Sequence, residues 1–351
     1  MVIYMNRVVV GISGGVDSSS AAALLLEKGY EVIGITFKFT ETFDETDAIE
    51  VCKKLNIEHH ILDYKEIFKE KVIDKFINDY KNGLTPNPCI LCNREIKFNF
   101  LYKAMIDYNA DYIATGHYAK IIDGKLYKSS DLLKDQTYFL SQLKKEQLEK
   151  LILPLEGLTK DEVRNIANKY NLITANKKDS YDVCFITNTF KEYMNEVVET
   201  NIGNVINVEN NEIIGKHNGL NNYTIGQRKG LNIGGTTDRM YVVGKDIKKN
   251  ILYIALGDNN NYLISTSCLI TNLNLINKNY TNNTKAKFRY RQNEINVELE
   301  PINENEMIVH YQDGVKSVTP GQICAIYIED QCIGSGIIKE VRKDNKKLWY
   351  L

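Results

Sequence analysis

Arg7-Val8-Val9-Val10-Gly11-Ile12-Ser13-Gly14-Gly15-Val16-Asp17-Ser18 is the stretch on which the fold turns. Residues 7–12 form a nearly continuous apolar run, the pattern of a strand buried on both faces of a parallel sheet. From Ser18 to Lys28, Ala21, Leu24, Leu25 and Lys28 recur at helical spacing. Between strand and helix, two glycines let the backbone turn tightly and present its N–H groups. The helix that follows adds the positive end of its dipole, so the turn is suited to an anion. Hydroxyls of Ser13 and Ser18 can donate to phosphate oxygens. Asp17 is unsuited to touch phosphate directly, and a Mg²⁺ between them is the natural reading. No Gly-Lys-[Ser/Thr] follows, so this is not a Walker A loop. The plainer alternative is a tight glycine turn; the coincidence of position, glycines, hydroxyls and acid argues against it.

Outward from this stretch, strands are predicted at 31–37, 57–62 and 111–115. Helices are predicted at 44–55, 64–80 and 93–108, with a breaker-rich loop at Gly83-Leu84-Thr85-Pro86-Asn87-Pro88. Alternation at this pace means an α/β fold, a doubly wound parallel sheet covered on both faces. After about residue 200 the runs shorten. Turn pairs appear at Asn210-Asn211, Gly234-Gly235, Asp258-Asn259 and Asp313-Gly314, the texture of small antiparallel barrels or sandwiches. The expected organisation is a nucleotide-binding domain over 1–200, a small β-rich domain over 201–261 and a barrel-like β domain over 262–351.

A chain of 351 residues is large enough for two or three domains. Its net charge of −1 does not announce a nucleic-acid binder, so any such surface must be local. Residues 216–249 carry seven Lys or Arg against two acids, and 65–103 carry eight against five. A charge run is usually a solvated face. The first, however, also holds Gly226-Gln227-Arg228-Lys229-Gly230, a tight loop able to bring Arg228, Lys229 and backbone close to phosphates. No run approaches the ~18–20 apolar residues of a membrane helix, and no signal peptide is visible, so the expected location is cytoplasmic. Met5 is a candidate start besides Met1. The Asn-x-[Ser/Thr] matches at Asn222, Asn279 and Asn282 are then accidental.

Seven cysteines in a chain this long are no disulfide scaffold. Cys52, Cys268, Cys324 and Cys332 read as small buried apolar residues. Cys89 and Cys92 form Cys-x-x-Cys, with Cys92 expected at a helix start near Arg94 and Lys97, a setting that stabilises a thiolate. Cys184 also lies near cations, Lys177 and Lys178. A zinc site would need a fourth ligand, which His117 can supply.

The Ser13–Ser18 hexapeptide resembles the pyrophosphate loop of ATP α-hydrolases, adenine-nucleotide enzymes that transfer AMP. The rest is more specific. Thr85-Pro86-Asn87-Pro88 leads into Cys92-Asn93 and Glu95-Ile96-Lys97-Phe98; Ala114-Thr115-Gly116-His117-Tyr118 and Lys134-Asp135-Gln136 follow. Then come Lys178-Asp179-Ser180, Cys184-Phe185-Ile186, Gly226–Leu231, Tyr290-Arg291-Gln292 and Thr319-Pro320-Gly321-Gln322. In this order they resemble the tRNA-specific 2-thiouridylase family over nearly the whole chain. The resemblance implies that Gly11, Ile12, Ser13, Gly14, Gly15, Val16, Asp17, Ser18, Phe37 and Gly116 contact ATP, with Mg²⁺. It implies that Asn87, Pro88 and Cys89 surround the target base and that His117, Lys134, Asp135, Gln136, Arg289, Tyr290 and Gln322 touch tRNA. Cys184 would carry a persulfide, supplied by a sulfurtransferase or relay protein, and Cys92 would be its catalytic partner. The substrate would be the wobble uridine, position 34, of tRNAs for Lys, Glu and Gln.

One departure stands out. Many family members have Asp at the position of Cys89. Three thiols, Cys89, Cys92 and Cys184, with an open fourth position suit a 4Fe-4S cluster that delivers sulfide. Alternatively Cys89 merely replaces the acid and the persulfide route persists. Both stay open on sequence. Two rival classes are a synthetase amidating a small metabolite, which needs no paired thiols, and a non-catalytic tRNA-binding protein, which needs no intact loop.

Overall fold

The computed structural model describes residues 5–178, 183–231, 239–258, 260–278, 280 and 283–351. Asp179-Ser180, Gly234-Gly235, Asn259, Asn279 and Asn282, singled out above, lie outside them.

The N-terminal sheet contains β1 (Arg7–Gly11), β2 (Glu31–Lys38), β3 (Glu58–Asp63) and β4 (Tyr112–Ala114). A hairpin follows, β5 (Lys120–Ile122) and β6 (Lys125–Tyr127), and then β7 (Leu151–Ile152). The strand order is β3-β2-β1-β4-β7 with every pairing parallel. Val8 and Val10 pack with Ala22 and Leu25 of the helix Val16–Glu27, while Val9 faces Phe98 and Leu101 of the helix Phe98–Asp107. Both faces of β1 are therefore dry, which explains its unbroken apolar run. The chain winds from β1 to β2 and β3 on one side, then returns to β4 on the other. The loop after β1 thus sits at the switch point where doubly wound sheets open a crevice.

The predicted helix over 93–108 begins earlier. Asn87 caps a helix at Pro88–Cys92, accepting a hydrogen bond from the Ile90 amide at 3.2 Å, with Pro88 as the first helical residue. A π-helical turn, Asn93–Lys97, then joins it to Phe98–Asp107. Thr-Pro-Asn-Pro reads as a breaker, but its last two residues are a start signal.

A second sheet is built from β8 (Ile202–Asn207), β9 (Ile213–Asn218), β10 (Met240–Asp246) and β11 (Ile251–Leu256), in the order β10-β11-β8-β9. A third, ten-stranded sheet is centred on the paired strands Ile264–Leu275 and Gln331–Lys343. One apolar core runs through both: Val205, Val242 and Ile254 belong to the same cluster as Cys268, Phe288 and Tyr311. Two features depart from the sequence reading. Asp313-Gly314, read as a turn, lies within the strand Glu306–Lys316, where the pairing register shifts. The β5–β6 hairpin, inside the predicted nucleotide domain, joins the third sheet: Leu126 pairs with Cys332 and Tyr127 with Gln331. Among the described residues no helix is long and apolar enough to cross a membrane.

Candidate active site

The loop after β1 is tied across itself. The Ser13 amide donates to Ser18 Oγ at 3.1 Å, the two hydroxyls lie 3.1 Å apart, and Ser18 and Ser19 Oγ both donate to the Gly15 carbonyl. Gly14 adopts φ +69°, and a Cβ there would come within 3.0 Å of Asp47. Gly116, at the end of the segment after β4, crosses the same turn. Any side chain on it would strike the Asp17–Ser18 backbone at 2.6–2.8 Å, so its glycine is required by close approach. Ile12 and Val16 are buried beneath the loop, and Phe37 closes the flank at the end of β2, its ring 5.6 Å from that of Phe39 and 5.8 Å from that of Tyr64. Gly11, Gly15 and Ser18 complete the turn on the switch-point crevice.

Two lysines reach this loop from far along the chain. Lys160 Nζ donates to both carboxylate oxygens of Asp17, at 2.7 and 2.9 Å, and the Tyr118 hydroxyl donates to Oδ1 at 2.7 Å. Lys177 Nζ donates to the Gly14 carbonyl at 2.9 Å and pairs with Asp47. Lys160 is delivered by the helix Lys160–Lys169, whose start is fixed by a reciprocal Thr159–Glu162 capping box. Val163 and Ala167 of that helix pack against Val16, Ala21 and Tyr118. Sequence reasoning missed Lys160 and Tyr118. Thr159-x-x-Glu162 marks the helix start, but nothing local says which loop it faces. For Mg²⁺ the fit is poor: the carboxylate of Asp17 is already engaged on both oxygens, and among the described residues no three His, Cys, Asp or Glu side chains form a metal site.

The segments carrying the thiols belong to a separate apolar cluster of the same domain. Leu91, Cys92 and Ile96 pack in one cluster with Phe68, Phe76 and Phe185, which brings the segment carrying Cys184 onto the Cys92 helix. Cys89 and Cys184 are exposed and Cys92 is buried; none of the three is in a disulfide. The expectation of a stabilised thiolate at Cys92 fails. Cys92 is the last residue of the helix Pro88–Cys92 rather than the first of the next, and burial pushes its thiol up to about 12, with Lys97 opposing weakly. Cys89 and Cys184 keep surface exposed, but the protein crowded around their sulfurs desolvates them in part and raises their thiols too. Among the described residues no three His, Cys, Asp or Glu side chains are grouped to hold a metal, so Cys89, Cys92 and Cys184 are not gathered as a ligand set for a 4Fe-4S cluster, nor with His117 for zinc.

The residues assigned to tRNA divide into two kinds. Arg228 and Lys229 are exposed. The rest of their basic segment is partly spent: Arg239 pairs with Asp258 at 2.5 Å, Lys249 with Asp246 at 3.6 Å, and Lys245 is buried. Arg289, by contrast, works inside the protein. Its Nη2 donates to the Ile225 and Ser317 carbonyls and to Thr319 Oγ1, at 2.6–2.9 Å. Asp135 is buried, accepting from the Ser129 amide at 3.1 Å and the Thr137 hydroxyl at 2.7 Å. Gln136 Oε1 accepts from the Tyr118 amide at 2.9 Å, and Tyr290 packs on Phe139 at 4.4 Å. His117 is neutral, its pKa pushed down to about 3 by burial, and shares a hydrogen bond with Thr115 at 2.8 Å. Gln322 Nε2 donates to the Thr85 carbonyl at 2.6 Å. Lys134 is half-buried beside the exposed Leu132 and Leu133.

A buried parallel sheet with a self-tied Ser-Gly-Gly-x-Asp-Ser turn at its switch point defines a nucleotide α-hydrolase of the pyrophosphate-loop class. Residues 6–188 match the family described as tRNA methyl transferase HUP domain, residues 191–256 its PRC-barrel domain, and residues 265–338 an aminomethyltransferase beta-barrel domain. A protein named tRNA-specific 2-thiouridylase MnmA from Mycoplasmopsis synoviae is 45% identical, with 99% of each chain covered. One of the same name from Geobacillus thermodenitrificans is 43% identical over 99% of this chain and 98% of its own. A solved 4-thiouridine synthetase–RNA complex with bound ATP aligns at 17% identity and TM-score 0.38 over 55% of this chain and 49% of its own, a likeness too distant to argue from. The chain belongs to the tRNA-specific 2-thiouridylase family.

Proposed function

We propose that the protein performs ATP-dependent 2-thiolation of the wobble uridine, position 34, in tRNAs for Lys, Glu and Gln, in the cytoplasm. The observation that carries this reading is the packing of the Cys184–Phe185 segment onto the Cys92 helix, in a domain whose switch point holds a pyrophosphate loop. The domain descriptions speak of methyl transfer and the relatives' names of thiolation; a Cys184 segment packed onto the Cys92 helix across 92 positions favours sulfur.

The chemistry follows from the parts. The C2 oxygen of the uridine attacks the α-phosphorus of ATP, which enters as its Mg²⁺ complex, and pyrophosphate leaves. Amides of the Gly14–Gly15 turn and the helix dipole stabilise the charge that departs. The terminal sulfur of a Cys184 persulfide, loaded by a sulfurtransferase or relay protein, attacks C2. Cys92 then attacks Cys184 Sγ, forming a Cys92–Cys184 disulfide; the S–S electron pair passes to the transferred sulfur and AMP leaves. A dithiol reductant restores both thiols. Burial of Cys92 keeps it protonated until that step, which protects the persulfide from early cleavage. Asn87, Pro88 and Cys89 line the approach of a base splayed out of the anticodon loop. Arg228 and Lys229 hold the tRNA backbone.

The test is a deletion strain complemented with wild type, Cys92→Ser or Cys184→Ser, its tRNA nucleosides read by mass spectrometry. Wild type restores 2-thiouridine derivatives and neither variant does. In vitro, AMP should form only with tRNA present. AMP formation driven by a small carboxylate, or restored thiolation in Cys184→Ser, overturns the reading.

A further inference from the structure

We propose that Lys160 is a positioning residue of the adenylation site that neutralises and immobilises Asp17, making Asp17 a structural anion of the loop and not a ligand to Mg²⁺. This rests on the ATP reading above and departs from the role the sequence suggested for Asp17.

Three hydrogen bonds converge on one carboxylate: Lys160 Nζ on both oxygens and the Tyr118 hydroxyl on Oδ1. The lysine is not a loose surface partner. Its side chain is 14% exposed, it is the first residue of a capped helix, and its ammonium stands over the Tyr118 ring at 5.8 Å. Tyr118 is itself buried and held at its amide by Gln136. A metal ion bound by Asp17 would have to share oxygens with this ammonium, placing two cations side by side in a partly buried site.

The charge logic favours the pair for a second reason. Asp17 lies in the first turn of the helix Val16–Glu27, where the dipole welcomes an anion. The same helix end must receive a triphosphate. A bare carboxylate there would repel the incoming nucleotide. Paired with Lys160, the carboxylate's charge is offset at close range, and the loop amides and the dipole remain for the phosphates. Tyr118 sits two residues beyond Gly116, which already abuts the Asp17–Ser18 backbone, so the clamp and the close approach form one construction.

The experiment measures ATP binding by full-length protein with calorimetry, across a titration of free Mg²⁺, with no turnover needed. Lys160→Met should weaken ATP binding about tenfold or more, the scale of a charge-assisted contact. Lys160→Arg should recover most of it. Asp17→Asn should leave the Mg²⁺ concentration at half-saturation unchanged within about twofold. The double variant Asp17→Asn/Lys160→Met should bind ATP nearly as wild type does, because removing the carboxylate removes the repulsion. If the double variant stays as weak as Lys160→Met, Lys160 acts on the phosphates directly and the proposal is overturned. A tenfold rise in the Mg²⁺ requirement of Asp17→Asn overturns it too. Tyr118→Phe keeps the proposal testable should Lys160→Met fail to fold: it removes one of the two donors on Asp17 Oδ1 and leaves Lys160 in place, so the Mg²⁺ requirement should not change, and a lowered requirement would show that Asp17 reaches metal and overturn the proposal. A wild-type protein that binds no ATP overturns the ATP reading itself, an outcome distinct from all of these.

Discussion

Gln322 donates its side-chain amide to the carbonyl of Thr85 at 2.6 Å, across 237 positions of chain. The Thr85 amide donates in turn to the Pro320 carbonyl at 3.0 Å, so the third sheet grips the segment that leads into the Asn87 cap and the Cys89–Cys92 helix. Gly321 between them has φ +91°, and a Cβ would approach the Thr85 nitrogen to 2.8 Å. Gly321→Ala should cost about 1–2 kcal/mol from the left-handed backbone alone, and Gln322→Ala about 1 kcal/mol. Both should lower thiolation more than ATP binding. Equal loss of the two, with unchanged melting temperature, would disprove the grip.

Thiol reactivity should rank by exposure and by pKa together. At pH 8, a limiting alkylating reagent should label Cys89 and Cys184 first. Cys92, held up to about 12, should lag, and Cys52, Cys268, Cys324 and Cys332 should react only on unfolding. Peptide mass spectrometry over time reads the order, and early labelling of Cys92 would contradict its burial.

Salt dependence separates the two kinds of basic residue. Replacing Arg228 and Lys229 by Ala should weaken tRNA binding and reduce the log–log salt slope by about 1.4–1.8, as for two lost phosphate contacts. Arg289→Ala should lower the melting temperature, because three internal acceptors lose their donor, and should leave that slope alone. A changed slope in Arg289→Ala would put its guanidinium on RNA after all.

His117 should steepen acid unfolding. Its folded pKa of about 3 lies below the ordinary 6.5 of an unfolded histidine. Above pH 6.5 both states are neutral there. As pH falls below 6.5 only the unfolded state takes up the proton, so stability is lost until pH approaches 3. Between pH 7 and 5 the loss is at most about 2 kcal/mol. His117→Gln should flatten that limb in denaturant titrations at the two pH values; an unchanged limb would mean the ring is hydrated.

Local signals were legible and long-range ones were not. The β1 run, the glycine turn and the helix after it are encoded within a dozen neighbouring residues, and strand alternation foretold the parallel sheet. The helix start at Pro88 was missed because proline and asparagine punctuate both loops and helix N-termini. Asp313-Gly314 has turn composition, yet the strands beside it run on and absorb the pair as a register shift. Lys160 on Asp17 joins residues 143 apart, and a lysine's charge says nothing of which carboxylate it meets. Only the resemblance puts Arg289 and Asp135 on tRNA; packing shows their polar atoms turned inward. For Cys92, sequence supplied the cations nearby but not the desolvation that outweighs them.

The β5–β6 hairpin bears on how the protein is made. Its partner strand begins at Gln331, roughly 200 residues after Tyr127 leaves the ribosome. At ~5–20 residues per second, β6 waits about 10–40 s with its outer edge unsatisfied while the rest of the chain is synthesised. During that interval the nascent nucleotide domain carries an open edge, with Leu126 awaiting burial, that any extended strand can occupy. The last strands to emerge therefore seal the first domain, and a message truncated before residue 331 would yield a product prone to pair with its own copies.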